Sequence, residues 1–178
     1  MSRMPRVWYF AYGSNMQAAT LRGRRGIAWA SAAPARLAGW RFVCDKPPLF
    51  PAMGEAFANL VPEEGAAAYG VLFELEADDL AHVDLTEGVL IGNYRRVDVT
   101  VEPLGGGAAV VAATLVTDAR DPTLVPSERY RALLVEGARE HGLPGEWVAF
   151  LEGLPARPET AEATRLRPML DAVLAKTR

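Results

Sequence analysis

Two short segments hold residues whose types and spacing can do chemistry. The first is Tyr12-Gly13-Ser14-Asn15, which follows the β-branched and aromatic run Val7 to Tyr12. A strand that ends in Gly-Ser-Asn ahead of a helical turn presents successive backbone N–H groups to one point, and such a nest binds carboxylate or phosphate oxygens. Gly13, lacking a Cβ, lets a ligand come close. The second segment is Asp84-Leu85-Thr86-Glu87-Gly88-Val89, followed by Gly92-Asn93-Tyr94. Glu87 stands among apolar neighbours before a flexible glycine, where a partly desolvated carboxylate suits proton transfer. Taken singly, each segment also fits a plain structural role: a strand-to-helix turn with Asn15 as its cap, and a solvated glutamate at a helix end.

The elements that position these segments follow from periodicity. Strands are expected over Val7–Tyr12, Arg36–Cys44, Phe57–Val61, Ala67–Leu75, Tyr94–Val101 and Ala108–Val116, with Pro62-Glu63-Glu64-Gly65 forming a hairpin-like bend between the third and fourth. Asn15 is expected to cap one or two helical turns over Met16–Leu21, and Asp45–Glu55, broken by Pro47, Pro48 and Pro51, reads as a loop. Short helices are expected over Ala77–Glu87 and Glu146–Leu151. A longer one, capped by Ser127 and stopped at Gly142-Leu143-Pro144, carries Tyr130, Leu133, Leu134, Gly137 and Ala138 on one face. The last helix spans Glu159–Lys176, with Pro168 kinking or splitting it. Strands followed by helices point to an α+β fold or a closed mixed sheet with helices at its side.

Composition narrows the function. The 178 residues are 50% hydrophobic and 23% charged, which fits one folded domain over 1–178. A net charge of −3 gives no basic footprint for nucleic acid. One cysteine, Cys44, excludes an internal disulfide and a Cys-rich metal site, and two histidines, His82 and His141, leave little for a His-based one. Cys44 ends an apolar run and reads as a packing residue rather than a nucleophile. The uncharged stretch Pro103–Thr117 is too short to span a bilayer and contains a glycine triplet, so no membrane partner is expected. Two arginines lie in the first six residues, but Tyr12-Gly13-Ser14-Asn15 interrupts any apolar leader, which suggests a cytoplasmic protein. Arg22, Arg24 and Arg25 read as a solvated basic patch. The four tryptophans are assigned to the core or to interfaces, which leaves a homodimer open.

The two motifs together, in order and spacing, resemble the γ-glutamylcyclotransferase family, which includes the γ-glutamylamine cyclotransferases and the AIG2-like and BtrG-like proteins. The matching residues are Tyr9-Phe10-Ala11-Tyr12-Gly13-Ser14-Asn15-Met16 and Asp84-Leu85-Thr86-Glu87-Gly88-Val89 with Gly92-Asn93-Tyr94. A third block, Gly137 to Pro144, looks like the segment after the family's first long C-terminal helix. The likeness covers about residues 7–155, leaving 156–178 as a helical tail.

The resemblance implies a small mixed β-barrel with flanking helices. It places the acid/base on Glu87, and it puts Tyr12, Gly13, Ser14 and Asn15 around the γ-glutamyl group, with Tyr94 closing the second block. The implied reaction needs neither metal nor organic cofactor. The α-amine of a small γ-glutamyl substrate attacks its own γ-carbonyl, giving 5-oxoproline and a free amine. One departure is Thr114, which stands where relatives acting on γ-glutamyl dipeptides often have tyrosine; a smaller pocket wall is expected there. A deprotecting enzyme of a biosynthetic pathway, and a non-catalytic module holding an amino-acid-like ligand in the same cavity, remain alternatives.

Overall fold

The computed structural model describes residues 5–175. Met1 to Met4 and the expected end of the last helix at Lys176 lie outside the described residues. Five strands close into a barrel in the order β1-β3-β2-β4-β5. They are β1 (Arg6–Ala11), β2 (Ser31–Lys46), β3 (Phe57–Glu76), β4 (Arg95–Pro103) and β5 (Val110–Val116). Neighbours are antiparallel except at the closing seam, where β1 meets β5 in parallel through Tyr9 and Ala113. This is the small mixed barrel expected. Among the described residues four α-helices flank it: α1 (Ala77–Thr86), α2 (Glu128–Glu140), α3 (Gly145–Glu152) and α4 (Ala161–Leu174), with Pro168 inside the last.

Closure and the flanking helices bury the strands in one apolar cluster, on both faces in places, with Phe10, Leu37, Leu60, Leu72, Phe73 and Leu75 almost wholly shielded from water. The sheet departs from expectation in β3. Pro62 to Gly65 do not turn the chain; one strand runs from Phe57 to Glu76 and pairs with β2 along its length. The register passes from Ala38↔Ala67 to Trp40↔Pro62, so residues 63–66 bulge out opposite Gly39 alone. The proline heads this excursion, where a missing N–H costs no ladder bond.

Two packing events set the functional end of the barrel. Past β1, the chain makes a 3₁₀ turn, Ser14–Met16, then a π-helical turn, Ala19–Arg24, instead of the capped α-helix expected. Helix α2 is capped as expected, with the Tyr130 N–H donating to Ser127 Oγ at 3.0 Å. It crosses the 3₁₀ turn at Gly137, where a Cβ would lie 2.7 Å from both the Gln17 amide and the Met16 Cβ. Only glycine permits that approach, so the helix face read from the sequence is also the clamp on the first motif.

Candidate active site

Residues Gly13, Ser14 and Asn15 begin the turn. Its own hydrogen bonds start with the Met16 N–H donating to the Gly13 carbonyl and the Gln17 N–H to the Ser14 carbonyl, both at 3.1 Å. The amides of residues 13–15 stand ahead of these bonds, where a helical turn has no internal acceptor for them. Asn15 caps nothing. Its side chain is 5% exposed and points into a network, Nδ2 donating to Tyr9 Oη and to Glu87 Oε1, each at 3.0 Å. The second motif therefore meets the first.

Glu87 follows the last residue of α1, its N–H donating to the Val83 carbonyl at 2.9 Å. Gly88 takes the left-handed conformation, φ 72°, and a Cβ there would lie 2.9 Å from Asn93 Cβ. That tight return lets Asn93 Nδ2 donate to the Glu87 carbonyl at 2.9 Å. The glycine in the motif is thus explained by backbone geometry at the point where the carboxylate must be aimed.

The basic cluster is only partly the solvated surface expected: Arg22 is exposed, whereas Arg25 is not. Arg25 turns inward, donating from Nε to Asn15 Oδ1 at 2.7 Å and from Nη1 to Thr86 Oγ1, while Nη2 lies 2.8 Å from Glu87 Oε1. The π-turn carries it there, closing with the Arg25 N–H on the Thr20 carbonyl at 3.1 Å; its extra residue re-aims the side chain. The guanidinium also faces the C-terminal end of α1, where the helix dipole favours a cation. Both polar contacts of the Glu87 carboxylate among the described residues fall on Oε1.

Tyr12, Gly13, Ser14, Asn15, Glu87 and Tyr94 all line one cavity of about 350 Å³. Tyr12 donates its hydroxyl to the Leu115 carbonyl, and Tyr94 donates to the Ala58 carbonyl at 2.9 Å. Two further tyrosines complete the wall. Tyr9 accepts from Asn15, and Tyr130 accepts from the Ala58 N–H at 3.2 Å. Burial, reinforced by the Glu87 charge, pushes all four hydroxyls above the ordinary tyrosine range, so they stay protonated.

Lys46 closes the side toward β2. Its Nζ donates to Asn93 Oδ1 at 2.7 Å and to the Pro47 carbonyl at 2.8 Å, and lies 4.8 Å from the Tyr94 ring centre. Burial lowers its pKa to about 8, against the opposing pull of Glu87. Thr114, in contrast, is not among the cavity residues; its hydroxyl donates to the Phe10 carbonyl at 2.8 Å across the β1–β5 seam. The expected smaller wall is therefore not made by Thr114. Cys44 has its thiol pushed up to about 12 by burial and by Asp45 and Glu55, in keeping with packing rather than nucleophilic attack.

Arg25, Tyr9, Lys46 and Tyr130 escaped the sequence reading. Arg25 carried one usable signal: a buried carboxylate needs a cation, and three arginines lie ten residues or fewer past Asn15.

Known proteins resemble the chain over most of its length. The AIG2-like family matches residues 67–151, a span that includes Glu87 to Tyr94 and begins after the Gly13 turn. The γ-glutamylcyclotransferase of Bos taurus is 28% identical over 148 residues, covering 82% of this chain and 77% of that protein. That of Homo sapiens is 27% identical over 158 residues, covering 88% and 82%. The chain is similar in sequence to these γ-glutamylcyclotransferases. A solved γ-glutamyl cyclotransferase superposes with a TM-score of 0.76 over 93% of this chain and 99% of that one, at 22% identity, so the γ-glutamylcyclotransferase fold is shared. No helix among the described residues is long and apolar enough to cross a membrane.

Proposed function

We propose that the chain is a cytoplasmic γ-glutamyl cyclotransferase that converts a small γ-glutamyl compound to 5-oxoproline and a free amine, with Glu87 as general acid/base. The observation that carries this reading is the 3.0 Å contact of Asn15 Nδ2 with Glu87 Oε1, which joins a proton-transfer group to the amide-rich turn at one cavity.

The chemistry is intramolecular, so no second molecule has to be oriented. The α-ammonium gives one proton to Glu87, through the Oε2 that Arg25 and Asn15 leave to the substrate. The freed amine attacks the γ-carbonyl, forming the C–N bond of the lactam. Negative charge developing on the carbonyl oxygen is met by the amides of residues 13–15; one such donor is worth about 2.7–4 kcal/mol. The bond to the leaving nitrogen then breaks as that nitrogen takes a proton from Glu87. Two protons leave the α-nitrogen in all and two reach the leaving nitrogen, and one carboxylate can relay both in turn. The four tyrosines, held protonated, shape the pocket without competing for those protons.

The test is release of 5-oxoproline from a panel of γ-glutamyl amines and dipeptides by the wild-type protein and by Glu87→Gln. Release by wild type and its loss in the variant, with an unchanged melting temperature, supports the reading. Wild-type-like release by the variant removes Glu87 from its role. No release across the panel, with measurable ligand binding, favours the binding module instead.

A further inference from the structure

Of the chain's two lysines, Lys46 and Lys176, the first lines the cavity. Lys46 ends β2 and is 3% exposed. Two of its three N–H donors are taken, by Asn93 Oδ1 at 2.7 Å and by the Pro47 carbonyl at 2.8 Å, and both acceptors are neutral. Among the described residues no carboxylate pairs with it. The nearby acids are engaged elsewhere. Asp45 holds Arg120, with Nε 3.0 Å from Oδ2. Glu87 is gripped at Oε1 by Asn15 and Arg25, and Glu55 is hydrogen-bonded to Ser127. The cavity thus holds a buried ammonium with one donor to spare and no anion in contact, which is costly until a ligand brings one.

Asn93 fixes where that ammonium stands. Its amide bridges two charged residues, Oδ1 accepting from Lys46 and Nδ2 donating to the Glu87 carbonyl at 2.9 Å. A cation and an anion therefore flank one side chain at the floor of the cavity. The α-carbon of a γ-glutamyl group carries the matching pair, an ammonium and a carboxylate. On the proposed reading the ammonium goes to Glu87 and the carbonyl oxygen to the amides of residues 13–15. The carboxylate is what remains, and covalent geometry keeps it beside the ammonium. Arg25 is spent on Glu87 itself, whereas Lys46 is an unpaired cation tied through one side chain to the Glu87 backbone.

We infer that Lys46 is a specificity-determining residue whose Nζ takes the α-carboxylate of the γ-glutamyl group, so that Glu87 and Lys46 together read the two charges on one carbon. This rests on the cyclotransferase reading. A charge-assisted contact of this kind separates an acid from its neutral isostere by about tenfold or more.

The experiment compares γ-glutamyl-ethylamide and γ-glutamyl-alanine, each with the analogue whose α-carboxylate is replaced by an α-carboxamide, by following release of ethylamine or alanine. Lys46→Met is expected to lower kcat/KM for the carboxylate substrates at least tenfold, chiefly through KM, and to change it less than about threefold for the carboxamides. A second measurement needs no variant. With only two lysines in the chain, the 15N signal of Lys46 Nζ can be followed in the wild type. Saturating 5-oxoproline should move its titration to higher pH, because an anion in contact favours the ammonium, and 5-oxoprolinamide should not. A Lys46→Met loss that is equal for carboxylate and carboxamide overturns the inference, since Lys46 then acts only by holding Asn93. A titration that 5-oxoproline leaves in place overturns it as well. Either result leaves the cyclotransferase activity standing. Failure of the wild type to release amine from any of the four compounds overturns that activity and this inference together.

Discussion

The floor and the roof of the cavity are built in opposite ways. On the floor, Tyr9, Asn15, Arg25, Thr86, Glu87, Asn93 and Lys46 form one connected set of hydrogen bonds, each tied to the barrel end or to the turns it anchors. The roof is made by the 47–56 loop and α4. Three of its apolar members, Leu49, Phe50 and Val173, are 45%, 48% and 80% exposed, and the ion pairs Arg24–Asp171 and Arg167–Glu159 lie along the rim. A network in which each side chain fixes the next permits one geometry, which proton relay needs. A roof of exposed apolar groups and rim ion pairs contributes little to stability and is free to fit whatever the floor does not grip. On the proposed reading, the floor sets the reaction and the roof meets the leaving group.

The comparison can be broken most directly at Glu87. Glu87→Gln keeps the size and the contact with Asn15 but cannot accept the proton, so 5-oxoproline release should fall about 10²–10⁴-fold. That loss corresponds to roughly 3–5 kcal/mol of barrier. Gly137→Val comes next: its Cβ meets the Gln17 amide and Met16 Cβ at 2.7 Å, so denaturant melts should show a loss of about 1–3 kcal/mol, with activity falling as the turn is displaced.

Arg25→Met tests whether the floor is one network. It leaves Glu87, Asn15 and Thr86 each short of a partner and should cost about 1–3 kcal/mol in the same melts. Arg22→Met, whose guanidinium lies 3.9 Å from the centre of the Trp29 ring, should cost about 0.5–1 kcal/mol. Equal effects would dissolve the distinction between the inward arginine and its neighbour.

A pH titration sharpens it further. The pKa of Lys46 is about 8 in the folded chain and 10.5 in its ordinary state, so between these values the unfolded chain binds more protons. Stability should therefore rise with pH across that window, the penalty being full below about 8, and Lys46→Met should flatten the rise. The smallest effect belongs to the roof. Phe50→Ala should change the melt by less than about 0.5 kcal/mol while shifting KM for bulky leaving groups.

Much of this was legible in the residues. A β-branched and aromatic run gave β1, alternation gave β4, the glycine triplet set off β5, and Ser127 with Gly142 bounded α2, because local propensity and burial agree there. The six motif residues line one cavity. Pro62 to Gly65 misled because bulge and turn use the same residue types; only the partner strand, continuous past Gly39, tells them apart. Arg25 was hidden for a different reason. Its role depends on a π-turn and on a carboxylate 62 positions away, neither of which leaves a periodic trace.

The excursion of residues 63–66 has a practical consequence. Pro62, Glu63, Glu64 and Gly65 are exposed, and none of them borders the cavity. The ladder resumes on both sides of it, so chain added there can leave the pairing of β2 with β3 undisturbed. An epitope or fluorophore spliced between Glu64 and Gly65 would give a handle for purification or single-molecule tracking that substrate and product never meet.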